Sequence, residues 1–257
     1  LKNAAFDFCE AEYYLAYKDG EVVGRVAAII NHKANEAWKV KQVRFGWIDF
    51  IDDMEVSAAL LDAVIEFGRK AGMTQIVGPL GFTDFDPEGM LVDGYDRLGT
   101  MALIYNHPYY PEHMKKHGYY KETGWLEYRI TIPETVSERH KQIAEAVMER
   151  YGLTIKKKTR RQIKKERYGQ KLFKLINETY CVLYGYSLLS EKQIDQYVAT
   201  YLSIVNTEML TFIEDSKGDL IAAGISIPSM SEALQKSQGR MFPFGWWHML
   251  NAMFWKK

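Results

Sequence analysis

A chain of 257 residues with 47% hydrophobic and 26% charged residues can bury one large or two modest cores. Its 33 Lys and Arg residues balance 33 Asp and Glu residues, so no overall field favours nucleic acid, an anionic membrane or a strongly charged partner. The two cysteines, Cys9 and Cys181, have no paired metal or redox spacing, and no apolar run approaches the roughly 20 residues that span a bilayer. We therefore expect a cytoplasmic protein with reduced thiols.

The first half of the chain alternates predicted strands and helices. In chain order the predicted elements are a hairpin over 13–30, a strand over 43–51, a helix over 55–71, a strand over 75–77, a helix over 111–117, and strands over 119–121 and 125–132. Asp19-Gly20 is the predicted hairpin turn, and Gly72 ends the first helix. This order indicates an α/β (α+β) fold with helices packed on a sheet.

The second half begins with a predicted connecting helix and then repeats the order of elements. Pro133 can open this helix and Gly152 can close it, with Ile143 and Val147 on a predicted buried stripe. The elements predicted next are a strand over 153–157, helices over 170–183 and 191–205, and a second hairpin made of 210–213 and 220–227.

The two predicted hairpins share a sequence pattern. Residues 218–222, Gly-Asp-Leu-Ile-Ala, match residues 20–24, Gly-Glu-Val-Val-Gly, in residue type at an offset of 198 positions. That offset is too long for a solenoid repeat and suits a duplicated domain.

The segment 110–119, Tyr-Pro-Glu-His-Met-Lys-Lys-His-Gly-Tyr, resembles the final helix of the GNAT superfamily of N-acyltransferases, which ends in Gly and an aromatic residue. Together with the element order, this resemblance implies tandem GNAT-like lobes, each a mixed, mostly antiparallel sheet flanked by helices. Residues 1–133 would form the first lobe, 134–152 the connecting helix and 153–257 the second lobe. The resemblance further implies that the first lobe lacks its start and the second its C-terminal part.

The resemblance also says where an acyl-CoA should bind. In the family its pyrophosphate lies on backbone N–H groups of a helix after the fourth strand, in a loop that begins with Gln or Arg and carries two glycine positions. No segment here has that spacing, and the corresponding place reads Asp52-Asp53-Met54-Glu55. Met114 stands where many members have a tyrosine that protonates the leaving thiolate. We therefore assign no cofactor-binding or catalytic residue, and we expect acetyl-CoA to be a cosubstrate of the intact protein that this fragment does not bind tightly.

A substrate site is predicted at the loop after the fourth predicted strand. Asp84 and Asp86, accompanied by Glu88, follow the strand end and could hold a substrate amine in a cleft. Tyr109 and Tyr110 are assigned to the same substrate-binding set. The alternative is that these acids belong to an ordinary acidic surface loop.

Two possible metal motifs are incomplete. His113 and His117 lie one turn apart with His107 upstream, but the sequence fixes no third ligand, so a solvated helix face is favoured over a metal site. The run that begins at Asp84 imitates a calcium loop, yet its twelfth position is Tyr95 instead of a bidentate Glu. No metal site is predicted.

Two further stretches have unusual composition. Residues 156–171 contain nine basic residues and a single acid, Glu166, which fits a solvated strand edge and helix start better than a phosphate-binding patch. Residues 241–255 carry six aromatic rings but are too short to span a membrane, and we expect them to pack in a core or line a pocket.

The function predicted from the sequence is acyl-CoA-dependent N-acyl transfer, with acetyl transfer to a small amine or a peptide amine by the intact protein. The alternative is a catalytically silent GNAT-like module that binds a small amine or a peptide. A nucleic-acid-binding role for the basic stretch is opposed by the zero net charge. We expect neither a nucleic-acid nor a membrane partner, and the oligomeric state is left open.

Overall fold

The computed structural model describes residues 3–101 and 103–254. Its contacts divide the chain into two compact units. The first unit comprises the described residues of 1–124, 183–187 and 228–257, and the second comprises 125–182 and 188–227.

The strands and helices follow in chain order. They are β1 (Cys9–Lys18), β2 (Glu21–Asn31), α1 (His32–Trp38), β3 (Gln42–Phe50), α2 (Met54–Lys70), β4 (Gln75–Val77), α3 (Tyr109–Lys116), α4 (Glu138–Tyr151), β5 (Thr154–Lys156), α5 (Arg160–Lys165), α6 (Tyr168–Tyr180), α7 (Glu191–Ile204), β6 (Leu210–Glu214), β7 (Leu220–Ile225), α8 (Ser231–Ser237) and α9 (Gly245–Phe254). Short 3-10 helices cover Ala4–Asp7 and Thr207–Met209.

The first unit contains a four-stranded mixed sheet in the order β1-β2-β3-β4. The pairs β1-β2 and β2-β3 are antiparallel, and β4 runs parallel to β3. The predicted hairpin is confirmed, because Asp19 and Gly20 form its turn with φ of 52° and 83°, as a tight primed turn requires. The predicted third strand, the long helix α2 and the short strand β4 are also confirmed.

Residues of β2 alternate between two apolar layers. Val26, Ala28 and Ile30 pack with residues of α2 in the larger core, whereas Ala27 and Ile29 pack in a smaller cluster with Phe82 and Cys9, among others. Successive strand residues point to opposite faces, so α2 covers one face of the sheet and the smaller cluster covers part of the other.

The strand β3 carries a bulge at Trp47. Its partners shift from Ala27 opposite Gly46 to Arg25 opposite Asp49, so β3 has one residue more than β2 across this stretch. Trp47 has a φ of 45°, a left-handed conformation that is uncommon for residues other than glycine. Its ring lies 5.5 Å from that of Phe82, in the smaller apolar cluster. The bulge therefore directs an indole ring toward the face of the sheet that α2 does not cover.

The second unit follows the predicted order of a strand, helices and a hairpin. Its three-stranded antiparallel sheet has the order β5-β6-β7. A small core forms around Ile163, Tyr168, Leu210 and Phe212, and the Tyr168 hydroxyl donates a hydrogen bond to the buried carboxylate of Glu214. The coarse prediction of a mixed α+β protein is confirmed, and the assignment of the two units to tandem GNAT-like lobes remains a proposal.

The strands predicted over 119–121 and 125–132 are wrong. These residues have no strand conformation, and the alternating side chains of Leu126, Tyr128, Ile130 and Ile132 are 74–86% exposed. Alternation of apolar residues predicts a strand, but a strand also needs a neighbour to satisfy its backbone. Within the described ranges no neighbouring strand pairs with this segment.

The connecting helix differs from its prediction in its start and its environment. It begins at Glu138, after Ser137, whose side chain accepts a hydrogen bond from the His140 N–H, instead of after Pro133. Ile143 and Val147 are 51% and 42% exposed, so the predicted buried stripe is wrong. Their spacing correctly indicates a helix, because apolar residues one turn apart lie on the same face of a helix whether or not another element packs against that face.

The aromatic stretch is only partly packed. Ala252 of α9 forms a small cluster with Met230 and with Ala233 of α8, but Phe242 and Phe244 are 81% and 71% exposed. Trp255, which also belongs to the predicted stretch, lies outside the described residues. Among residues 3–101 and 103–254, no helix has both the length and the apolar character needed to cross a membrane.

Candidate functional site

Arg44 is a charged residue inside the core of the first unit. It lies in β3 and is only 5% exposed. Its Nη1 donates hydrogen bonds to the backbone oxygens of Gly81, at 3.1 Å, and Phe82, at 3.4 Å. Its Nη2 donates to the oxygen of Gly185, at 3.3 Å. Because all three acceptors are neutral carbonyls, these bonds engage Nη1 and Nη2 without neutralising the charge of the guanidinium.

Three carboxyl groups of the loop after β4 interact electrostatically with this charge. Burial raises the pKa of Asp84 to about 6 and that of Glu88 to about 7, and Arg44 opposes both shifts. Asp84 raises the pKa of Glu88 further because two like charges repel. Burial also raises the pKa of Asp86, against backbone hydrogen bonds that lower it. We call Asp84, Asp86 and Glu88 the acid cluster. Because one guanidinium is set against three acids, this cluster can bind a further cation or protons.

Asp86 is held in place by the loop backbone. Its Oδ2 accepts a hydrogen bond from the Thr83 N–H at 3.0 Å. A Cβ atom on Gly81 would lie 2.2 Å from the Asp86 Cβ, so the loop can fold over Asp86 only because residue 81 has no side chain. The neighbouring Cys9 is buried, and burial raises its thiol pKa to about 12, which leaves it protonated and unreactive at neutral pH.

A groove of about 340 Å³ lies on the sheet face that α2 does not cover. Apolar side chains predominate among its lining residues, and Asp86 brings the acid cluster to its wall. Its lining includes Tyr13, Leu15, Ala27, Trp47, Phe82 and Asp86. Its volume falls in the range of roughly 300–1,000 Å³ that is typical of small-molecule sites.

The N-terminus of α2 does not fit a pyrophosphate. Asp53 is its N-cap, and the Asp53 Oδ1 accepts a hydrogen bond from the Glu55 N–H at 2.9 Å. The other oxygen of Asp53 lies 2.6 Å from the Lys18 Nζ. The first-turn amides that would bind a phosphate are therefore already used by a carboxylate, and a second anion there would meet Asp52, Asp53 and Glu55.

A second polar cluster joins α2 to α3 in the same unit. The Ser57 Oγ lies 2.8 Å from both the His113 Nδ1 and the His117 Nε2. The His113 Nε2 lies 2.9 Å from the Asp52 Oδ1. Ser57 and His113 are 0% and 2% exposed, so the prediction that these histidines occupy a solvated helix face is wrong for His113. The arrangement has the residue types of a nucleophilic triad, but a fully buried serine cannot reach a substrate.

No metal site is evident at these histidines. Within the described part of the chain, no group of three or more His, Cys, Asp or Glu side chains is placed to hold a metal ion.

The predicted substrate residues separate into two places along β3. The Tyr109 hydroxyl donates to the Phe50 oxygen at 2.6 Å, and the Tyr110 hydroxyl accepts from the Phe50 N–H at 3.2 Å. These contacts lie at the C-terminal end of β3, whereas Asp84 and Asp86 gather around Arg44 near its start. Six residues of extended strand separate Arg44 from Phe50, which is about 20 Å. The tyrosines therefore anchor α3 to β3, and their role in substrate binding stays a prediction.

Sequence reasoning missed Arg44 as a site residue. A single charged residue within the apolar strand sequence Val43-Arg44-Phe45 was the available signal, since a buried charge needs partners. The partners could not be identified, because the oxygens of Gly81 and Gly185 are remote in sequence. The contribution of Trp47 was also missed, because it depends on the bulge.

The basic stretch in the second unit is partly engaged by its own fold. The Lys157 Nζ donates to the backbone oxygens of Glu208 and Leu210, at 3.2 and 3.0 Å. Lys158 pairs with Glu166 at 2.7 Å. These contacts agree with the interpretation of a strand edge and helix start and give no specific support to a phosphate site.

No family model matches the chain. Two curated proteins are similar to nearly its whole length. Protein YghO of Escherichia coli is 26% identical over 253 residues, which cover 97% of this chain and 63% of YghO. The bacterial ceramide synthase of Caulobacter vibrioides is 25% identical over 256 residues, which cover 96% of this chain and 64% of that protein. The chain thus spans less than two thirds of the length of both relatives.

Proposed function

We propose that the whole protein is an acyl-CoA-dependent N-acyltransferase and that the acid cluster around Arg44 holds the amine that receives the acyl group. The observation that carries the proposal is the buried Arg44, whose hydrogen bonds go to backbone carbonyls while three carboxyl groups of the loop after β4 interact with its charge. Burial raises the pKa of one of these groups, Glu88, to about 7, which suits a base that works near neutral pH. The similarity to a bacterial ceramide synthase supports this reaction type, because a ceramide is an amide. The resemblance of residues 110–119 to a GNAT helix points the same way.

The residues of this chain would act on the amine. The excess of acid over base in the cluster favours binding of the amine as an ammonium ion. Glu88, as a carboxylate, accepts one ammonium proton and leaves the nitrogen lone pair free. The nitrogen then attacks the carbonyl carbon of a thioester, so that a C–N bond forms and the C–S bond breaks. The second proton of the nitrogen passes to the leaving thiolate, which is released as the thiol. Because the first turn of α2 does not fit a pyrophosphate, we assign the acyl donor to residues outside that turn.

The test is acyl transfer by the whole protein. Acyl-CoA donors and primary amines are supplied, and amide formation is followed by mass spectrometry together with release of free thiol. The proposal predicts stoichiometric amide and thiol, and loss of both in Asp84→Asn/Glu88→Gln. Amine binding without any amide product would instead support a catalytically silent binding module. The start of α2 favours this second candidate for this part of the protein, because Asp53 already caps the amides that would bind a pyrophosphate.

A further inference from the structure

The groove on the open face of the sheet combines apolar walls with an acidic group. Tyr13 and Leu15 of β1 line it and are 65% and 55% exposed, although both are large apolar side chains. They lie two residues apart and therefore on the same face of the strand. Trp47 and Phe82, whose rings are 5.5 Å apart, contribute further apolar surface.

The charge of the groove is set by Asp86. Arg25 also lines the groove, but its guanidinium is paired with Asp49 at 2.6 Å. Asp86 belongs to the acid cluster, in which Arg44 alone opposes three carboxyl groups. An occupant with a cationic group near Asp86 is therefore favoured over a neutral or anionic one.

The groove also has a direction. Asp86 lies close enough to Cys9 to raise the pKa of its thiol, which places the acid near the start of β1. Leu15 lies further along this strand and lines the same groove as Asp86, so the groove follows the strand from the acid toward Leu15. An occupant that reaches from the acid cluster to Leu15 must therefore be elongated, with its apolar part on Tyr13, Leu15 and Trp47.

We propose that this groove binds the apolar chain of an elongated primary amine, whose ammonium group lies at Asp86 and the rest of the acid cluster. This inference rests on the proposed function, since it names the substrate class of the same site. It assigns chain-length recognition to Tyr13, Leu15 and Trp47, on a face of the sheet separate from the contact between α2 and α3.

Calorimetric titration of this chain with octylamine, butylamine and octanol tests the assignment without an acyl donor. Each buried methylene strengthens binding about two- to fourfold, and the groove is partly open, so octylamine should bind about tenfold more tightly than butylamine, or more. Octanol, which lacks the ammonium group, should bind more weakly than octylamine. Asp86→Asn should remove this preference for the amine.

The matched variants are Leu15→Ser in the groove and Ile143→Ser in α4, since the two residues are similarly exposed, at 55% and 51%. Leu15→Ser should weaken octylamine binding about threefold or more and leave butylamine unchanged, whereas Ile143→Ser should change neither. Because both positions are exposed, neither variant should impair folding.

The outcomes separate the two proposals. Equal affinity for octylamine and butylamine, both lost in Asp84→Asn/Glu88→Gln, would overturn the groove assignment and leave the amine site standing. Equal affinity for octylamine and octanol would show an apolar site without amine recognition and overturn the assignment. Self-association that Leu15→Ser abolishes would show that a second copy covers the groove, and absence of binding by every ligand would also overturn the assignment.

Discussion

The first unit contains two polar clusters that differ in how far they satisfy themselves. The Ser57 cluster consists of Asp52, Ser57, His113 and His117. Each of these side chains has a polar atom within 2.9 Å of a polar atom of another member, and the serine is fully buried. In the cluster around Arg44 the guanidinium bonds to carbonyl oxygens, while three carboxyl groups share its single charge. A network whose polar groups all have hydrogen-bond partners within it holds helices together. A network with an excess of carboxyl groups over cations can bind a cationic ligand.

The largest expected effect comes from removing the buried cation. Arg44→Met leaves the carbonyls of Gly81 and Gly185 without their donor and the acid cluster without its counter-charge. We expect a loss of about 3–5 kcal/mol in the free energy of unfolding, measured by urea titration at pH 7. Arg25→Met, which breaks an exposed pair with Asp49, should cost only about 0–1 kcal/mol. Equal losses of unfolding free energy in the two variants would show that the buried Arg44 contributes no more to stability than the exposed Arg25.

The Ser57 cluster should be the next most sensitive. Ser57→Ala removes the hydroxyl that His113 and His117 share, and we expect a loss of about 1–3 kcal/mol in the free energy of unfolding. Acyl-transfer activity of the whole protein should be unchanged once the variant is folded. The control is Thr179→Ala in α6, whose exposed hydroxyl bonds only within its own helix. A selective loss of activity in Ser57→Ala would move this cluster from a structural to a functional role.

A smaller effect is expected in the pH dependence of stability. The pKa values of Asp84 and Glu88 are raised from ordinary values of 3.8 and 4.5 to about 6 and about 7. The folded state then binds more protons than the unfolded state over this range, so stability should fall as pH rises from about 4 to about 7. Asp84→Asn/Glu88→Gln should flatten this slope in urea titrations at several pH values. An unchanged slope would mean that these carboxyls titrate normally.

The smallest effect is expected at the surface, where α2 begins. Lys18→Ala removes an ion pair with Asp53 whose side chains remain partly exposed. We expect a change in unfolding free energy smaller than that of Ser57→Ala, and one that added salt suppresses, because solvent screens such pairs. A large loss of unfolding free energy that salt does not change would contradict this expectation. It would show that Lys18 stabilises the start of α2 as strongly as a buried group.

Local features were predicted well from the sequence, and long-range features were not. The first hairpin follows from Asp19-Gly20 and its flanking β-branched residues, and both signals lie within a few positions of each other. Asp84 and Asp86 were selected as candidates because they follow a strand end, and their role in substrate binding stays a prediction. Arg44 was missed because its partners come from 37 and 141 residues away. The false strand over 125–132 has the alternation of apolar residues that is typical of a strand, but no strand of the described residues pairs with it, and the sequence alone does not reveal that lack of a partner.

The central claim is that the acid cluster receives the amine and its proton. The most direct measurement is kcat/KM of the whole protein for an amine, as a function of pH, in the wild type and in Glu88→Gln. The wild type should gain activity as pH rises through about 7, where Glu88 loses its proton. Glu88→Gln should be slower by about 100-fold and should lose that step. A Glu88→Gln profile equal to that of the wild type in height and shape would contradict the claim.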